Sequence, residues 1–361
     1  MRILFILAAV LLFSFLIAIH EFGHFITAKL FGVKVNEFSI FMGPAIWQKQ
    51  KGETLYSLRT IPFGGYCAME GEEAESDDPR SFGKAAWWKK IIILAAGAAM
   101  NFTAGFFMVL LIVGCVNQSP YLVVPTIDSF APGNVVEGEN GLHVGDTLYS
   151  MDGRRIYTSN DFTTLAAYNL RNEGYIHDIV VIRDGQKVLL DDFNLEPRML
   201  TDEDGTEQLR YGLNLTATER TFSGVLDYAW GTTLGYARTV PMSFAMLFKG
   251  QASVSDVSGP AGIVKAVSDV GVASASVADG MWNVVSFMSL IAVTLAVMNL
   301  LPIPALDGGH IVSVLVVALI EAVTRKKLDP KYESFVHAVG MVVLLIIMAL
   351  VSLKDVIQIF R

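Results

Sequence analysis

Four long stretches without a charged residue limit what this chain can become. They run over Ile3–Ile19, Ile91–Val116, Val284–Leu306 with a continuation at Ile311–Ile320, and Phe335–Val351. A helix needs about 17–25 apolar residues to cross the hydrocarbon of a bilayer, and each stretch reaches that length. Apolar residues make up 53% of the 361 and charged residues only 17%, with a mean hydropathy of +0.48, too apolar for an ordinary water-soluble domain. The expectation is a polytopic α-helical membrane protein with four transmembrane helices, in segments 1–32, 91–117, 284–323 and 324–361. Polar segments 33–90 and 118–283 separate them.

The first stretch has Arg2 and an apolar run but no small-x-small cleavage site after it. It continues instead through "HEFGHFITAKLFG", so it is read as a permanent span. The region from Asn117 to Gly280 carries 21 Asp/Glu against 11 Lys/Arg, more than the net charge of −8 of the whole chain. Such an acidic region argues against nucleic acid or anionic lipid as its partner. Segment 32–90 has 8 of each sign, and Arg325, Lys326, Lys327 and Lys331 follow the third span. Lys and Arg near span ends mark the cytoplasmic side. Segments 33–90 and 324–334 are therefore expected in the cytoplasm, with the acidic region and both termini outside.

Within the first span, His20 and His24 are four residues apart and share a helix face, and Glu21 stands beside them. H-E-x-x-H on a helix is the pattern with which two imidazoles grip zinc while the glutamate activates water. With a rise of about 1.5 Å per residue from Ile3, the histidines lie about 25–30 Å deep, near the cytoplasmic edge. Ionisable residues inside a span default to function. Catalytic zinc takes three protein ligands, and Asp307 in "NLLPIPALDGGH" is the intramembrane carboxylate at matching depth. Pro302 and Pro304 break the helix ahead of it, which membrane depth tolerates only where backbone is buried in protein or lines a cavity.

HEFGH in one span and N-x-x-P-x-x-x-L-D-G-G-H in a later one resemble the site-2 protease family of intramembrane zinc metalloproteases, most of all its regulator-of-sigma-E protease branch. "FMGP" at 41–44 and "IPFGGYCAMEGE" at 61–72 resemble that family's membrane-associated β-hairpin region, and "VSGPAGIV" at 257–264 the stretch before its third span. The resemblance implies His20, His24 and Asp307 as zinc ligands, Glu21 as general base, and Asn299 as a group that holds substrate or the developing oxyanion. It implies single-span membrane proteins as substrates, such as an anti-sigma factor already cut outside by a site-1-type protease, or remnant signal peptides. The setting would be a bacterial plasma membrane. Relatives often carry Gly-Pro before an asparagine in the second span, whereas Ala98 takes the proline place here. His310 matches the motif without being assigned as a ligand.

Residues 118–200, with "APGN" at 131–134 and "GLHVGDTLYSMDGRRI" at 141–156, resemble one bacterial PDZ domain, an extracytoplasmic α+β unit that would filter substrates by size. Glu196–Gln208 reads as a loop or linker, and Phe222–Leu247, interrupted by Asp227, Arg238 and Pro241, as lying on the outer membrane surface. His143, His177 and His337 read as solvated or packing residues, and Cys67 and Cys115 fall on opposite sides, where they cannot bridge. Two other function classes remain, a non-catalytic membrane scaffold and a metal transporter. Neither requires Glu21 beside the first histidine.

Overall fold

The computed structural model describes residues 1–72, 76–116, 119–131, 141–172, 174–190, 195–201, 207–251, 259–325 and 330–359. Expectations placed on residues 132–134, 202–206, 257–258, 326 and 327, and on the side chains of Lys331 and His337, lie outside the described residues. The chain divides into two compact units, one of residues 1–108 and 253–361, the other of residues 109–252.

The first unit is built on α1 (Arg2–Leu30), which passes without interruption from the apolar run through the histidines. Beside it stand α2 (Trp87–Leu111), then α5 (Pro260–Val272), α6 (Val277–Asn299), α7 (Asp307–Thr324) and α8 (Pro330–Ile359). Phe5, Ala9 and Leu16 of α1 share one core cluster with Ala104 of α2, Val267 of α5, and Val284, Met288 and Ile291 of α6. Ala28, at the other end of α1, packs instead with Ile93 and Leu94 of α2 and Val314 of α7. Helix α2 therefore runs against α1, whereas α6 and α7 follow one another along it in its own direction.

Among the described residues, four helices are long and apolar enough to cross a membrane: α1, α2 with its terminal turn, α6 and α7. The expected third span is two helices, because Pro302 cannot continue α6 and segment 300–306 turns back on itself before α7 starts. The fourth apolar run, Phe335–Val351, falls within α8. Segment 201–283, expected as a linker and a membrane-surface helix, holds in its described residues 259–283 a further helix, α5, which packs on α1 and α6, and the start of α6 at Val277, N-capped by the Ser276 hydroxyl.

Between α1 and α2 lie two long strands, β1 (Val35–Lys51) and β2 (Thr54–Met69). Both bend, with Phe41, Gly43 and Gly64 at positive φ. Residues 35–40 pair with 65–69 on one side and with 55–58 on the other, and 54–59 pair back with 45–51. The two bent strands thus make a ribbon four segments wide, whose outer segment 65–69 lies against α1. Arg59 holds the bend, donating to the Gly43 carbonyl at 2.7 Å and to Glu37 at 2.7 Å.

The second unit is a sheet ordered β10–β3–β4–β6–β7, with β5 paired to β4. Its strands are β3 (Tyr121–Phe130), β4 (Thr147–Met151), β5 (Arg154–Arg155), β6 (Ile179–Arg183), β7 (Gln186–Leu190) and β10 (Leu213–Glu219). Helix α3 (Ser159–Asn172) covers the core around Ile127, Leu142, Leu148, Leu165 and Val181. Two Asp-Gly pairs, at Asp152–Gly153 and Asp184–Gly185, take positive φ at both positions and close tight hairpins. Although burial works against it, the Arg183 fork, 2.7 Å from Asp146, and the His143 N–H hold the Asp146 carboxyl below its usual range.

The boundary expected at residue 200 shifts, since β10 pairs along β3 and belongs to the same sheet. The stretch read as a linker contains a hairpin, β8 (Arg198–Thr201) with β9 (Glu207–Arg210). Phe222–Leu247 is nearly all of α4 (Phe222–Phe248), a helix that Arg220 ties back to the Val113 and Gly114 carbonyls. Its Gly231 and Gly235 lie close on Thr158 and Asp161, and Arg238 pairs with Asp161. One face of α4 is thereby buried on α3, while Phe222, Trp230 and Phe248 on it are exposed.

Candidate metal centre

The helix period brings His20 and His24 to one side of α1, each less than a tenth exposed. The His24 Nδ1–H donates to the Ile93 carbonyl of α2 at 2.8 Å, which leaves the lone pair of a neutral ring on Nε2. That Nε2 lies 3.1 Å from His20 Nε2. Helix α2 approaches closely here because its facing residue has no side chain. A Cβ built on Gly97 would stand 2.5 Å from His24 Nε2 and 2.8 Å from His20 Nε2.

The third arm comes from far along the chain. After Asn299 ends α6, segment 300–306 folds under the start of α7, with Ala305 at φ 80. The fold is so tight that a Cβ on Gly308 would meet the Leu301 carbonyl oxygen at 2.3 Å, and one on Gly309 the Ile303 oxygen at 2.3 Å. The two glycines therefore let Asp307 stand in the first turn of α7, where the helix dipole favours a carboxylate. Asp307 Oδ2 lies 3.1 Å from His20 Nε2 and 3.6 Å from His24 Nε2. Gly340 of α8 packs on Pro304 and backs the loop from behind.

Three ligand atoms of His20, His24 and Asp307 thus lie within 4.8 Å of one another. Asp307 Oδ2 is buried and has no hydrogen-bond partner, despite its closeness to both rings. Lone pairs directed at one another in this way repel unless a proton or a metal cation sits among them. Two imidazole nitrogens and one carboxylate oxygen are the donor set of a hydrolytic zinc site, with a position left over for water. The residues fit the ion.

Glu21 adjoins the pair on the side of the ribbon. A Cβ on Gly65 would stand 3.8 Å from Glu21 Cγ and 3.0 Å from the Ser39 carbonyl oxygen. Burial, and then the Glu21 carboxyl, push the Cys67 thiol well above its ordinary range. Asn299 reaches the site as well, its Nδ2 3.4 Å from His20 Nδ1. His310 continues α7 one turn on, its backbone N–H donating to the Leu306 carbonyl, and the His143 and His177 backbone N–H groups serve acidic turns of the second unit.

Every residue singled out for the centre in the sequence therefore comes together. The contributions of α2 were not foreseen: the Ile93 carbonyl, the bare Gly97 and Asn101, whose amide lies 3.4 Å from His20 Nδ1. Their one trace in the sequence is the run of small residues "LAAGAAMNF", which reads equally well as ordinary helix packing.

Comparison with known proteins identifies the family. The model of peptidase family M50 matches residues 8–347. A candidate zinc metalloprotease of Clostridium acetobutylicum is 33% identical over 361 aligned residues, covering 98% of this chain and 97% of the relative. One of Clostridium perfringens is 34% identical, covering 98% and 99%. The regulator of sigma-W protease RasP of Bacillus subtilis is 24% identical, covering 98% and 99%. The chain belongs to peptidase family M50, the site-2 proteases, and is a membrane-embedded zinc metalloprotease.

Proposed function

We propose that His20, His24 and Asp307 hold the catalytic zinc, and that Glu21 is the general base in peptide-bond hydrolysis within or beside a membrane-spanning segment. The convergence of the three ligand atoms within 4.8 Å carries this reading. A zinc ion held there polarises the scissile carbonyl and lowers the pKa of water toward neutrality. Glu21 takes the proton of the attacking water and hands it to the leaving amine. Asn299, at the last turn of α6, offers its amide N–H to the carbonyl oxygen as charge builds on it.

A helical substrate hides its carbonyls in hydrogen bonds, so it must unwind before cleavage. Segment 65–69 supports a way to do this. It passes beside Glu21, and among the described residues no strand pairs with its other edge. An unwound segment adding to that edge would be held in extended form next to the base. Ala68→Pro, which distorts the segment by removing an N–H that faces residues 35–40 rather than the open edge, is expected to lower cleavage at least tenfold with zinc content unchanged. Cleavage at the wild-type rate would refute the edge as the docking strand.

The substrates on this reading are single-span membrane proteins, among them an anti-sigma factor already trimmed outside, or remnant signal peptides. The name of the Bacillus subtilis relative supports the first class. The bacterial relatives support a bacterial plasma membrane, and the charge distribution supports the ribbon in the cytoplasm and the acidic region outside, as a PDZ-like domain that screens trimmed substrates. The test uses the full chain in liposomes with a single-span reporter. Cleavage should cease on chelation and return with zinc, and cleavage that persists after exhaustive zinc removal would overturn the proposal.

A further inference from the structure

Two asparagine amides approach one ring nitrogen. Asn101 Nδ2 of α2 and Asn299 Nδ2 of α6 each lie 3.4 Å from His20 Nδ1. Both distances are long for a hydrogen bond, and a neutral ring offers a single lone pair at that atom. Meanwhile Asn101 Oδ1 is buried without a partner, on a residue 2% exposed. An imidazole whose Nδ1 accepts carries its proton on Nε2, and His20 Nε2 is the atom that faces His24 and Asp307. Turning the Asn101 amide end for end places its oxygen at Nδ1, so that the ring nitrogen donates to one acceptor instead of being approached by two donors. Oxygen and nitrogen of an amide have nearly the same shape, so the turn needs no space.

We propose that Asn101 is a positioning residue of the metal centre, its Oδ1 accepting a hydrogen bond from His20 Nδ1–H. The inference rests on the reading of His20, His24 and Asp307 as zinc ligands. With the proton fixed on Nδ1, the lone pair of His20 is directed at the ion. His24 is already held in this way, by the Ile93 carbonyl of the same helix. Positions 93, 97 and 101 of α2 are four apart and form one stripe. That stripe runs against the pair 24 and 20 of α1 as acceptor, gap, acceptor. The Ile93 oxygen fixes one ring and the Asn101 oxygen the other, and Gly97 leaves the space between them to the two Nε2 atoms. Asn299 is then no longer needed by His20, and its amide N–H is free for substrate.

The test is the zinc dissociation constant of the full chain in detergent, measured by competition with a chromogenic chelator. Partners behind a metal-ligating histidine contribute about 10–100-fold in affinity. Asn101→Leu, which fills the space without an acceptor, is expected to weaken zinc binding by that factor. Asn101→Asp, which only accepts, is expected to bind zinc at least as tightly as wild type. Asn299→Leu should leave the constant within about threefold and lower cleavage instead. If Asn101→Leu binds zinc like wild type, Asn101 does not position His20. If Asn101→Asp loses as much affinity as the leucine variant, the amide donates and the proposal is wrong. The aspartate decides alone should the leucine variant not fold. A wild-type chain without zinc affinity would overturn the ligand assignment itself, and the inference with it.

Discussion

Glu21→Gln is expected to lower cleavage of a single-span reporter by about 10²–10⁴-fold, the usual contribution of a positioned general base, while zinc stays bound in full. The amide has the shape of the carboxyl but cannot take a proton from water. None of the three ligand atoms belongs to Glu21, so the metal site keeps its donors. The side chain lies between α1 and segment 65–69, next to Gly65, where glutamine fits as glutamate does. Reconstituted wild type and variant, assayed for cleavage and zinc in the same preparation, decide the matter. A variant that cleaves within threefold of wild type would remove Glu21 from the chemistry, and one that loses zinc would make it a ligand or a support. The scaffold and transporter alternatives both require the substitution to be silent.

Gly97→Ala is expected to abolish zinc binding and cleavage together while leaving the helices folded. The new methyl would lie 2.5 Å from His24 Nε2 and 2.7 Å from His20 Cε1, closer than carbon atoms approach either atom. His24 cannot swing aside without giving up its hydrogen bond to Ile93. The methyl also stands between the two Nε2 atoms, where the ion belongs. On intrinsic grounds alanine is favoured over glycine inside a helix by about 1 kcal/mol. Crowding two buried rings costs about 1–3 kcal/mol against that gain, so the test is zinc content at retained helical circular dichroism rather than the melting point. Full zinc occupancy in the variant would mean that α2 stands farther from the histidines than described here.

Sequence and tertiary structure made different parts of this protein legible. Hydropathy by itself marked the membrane class, since runs such as Ile3–Ile19 leave a chain few other ways to satisfy its backbone. Residue chemistry at helical spacing marked His20, Glu21 and His24, and a charge at membrane depth marked Asp307. These are local properties, carried by neighbours in the chain. The broken third span was half visible, because Pro302 and Pro304 announce an interruption but not where the chain resumes. The place of β10 in the sheet was hidden, because strand pairing depends on partners some 90 residues away and not on the strand itself. So was the part played by α2. A glycine signals only a missing side chain, and a carbonyl is common to every residue. What makes Ile93, Gly97 and Asn101 matter is the face of α1 they meet, and only the packing of two distant helices could decide that.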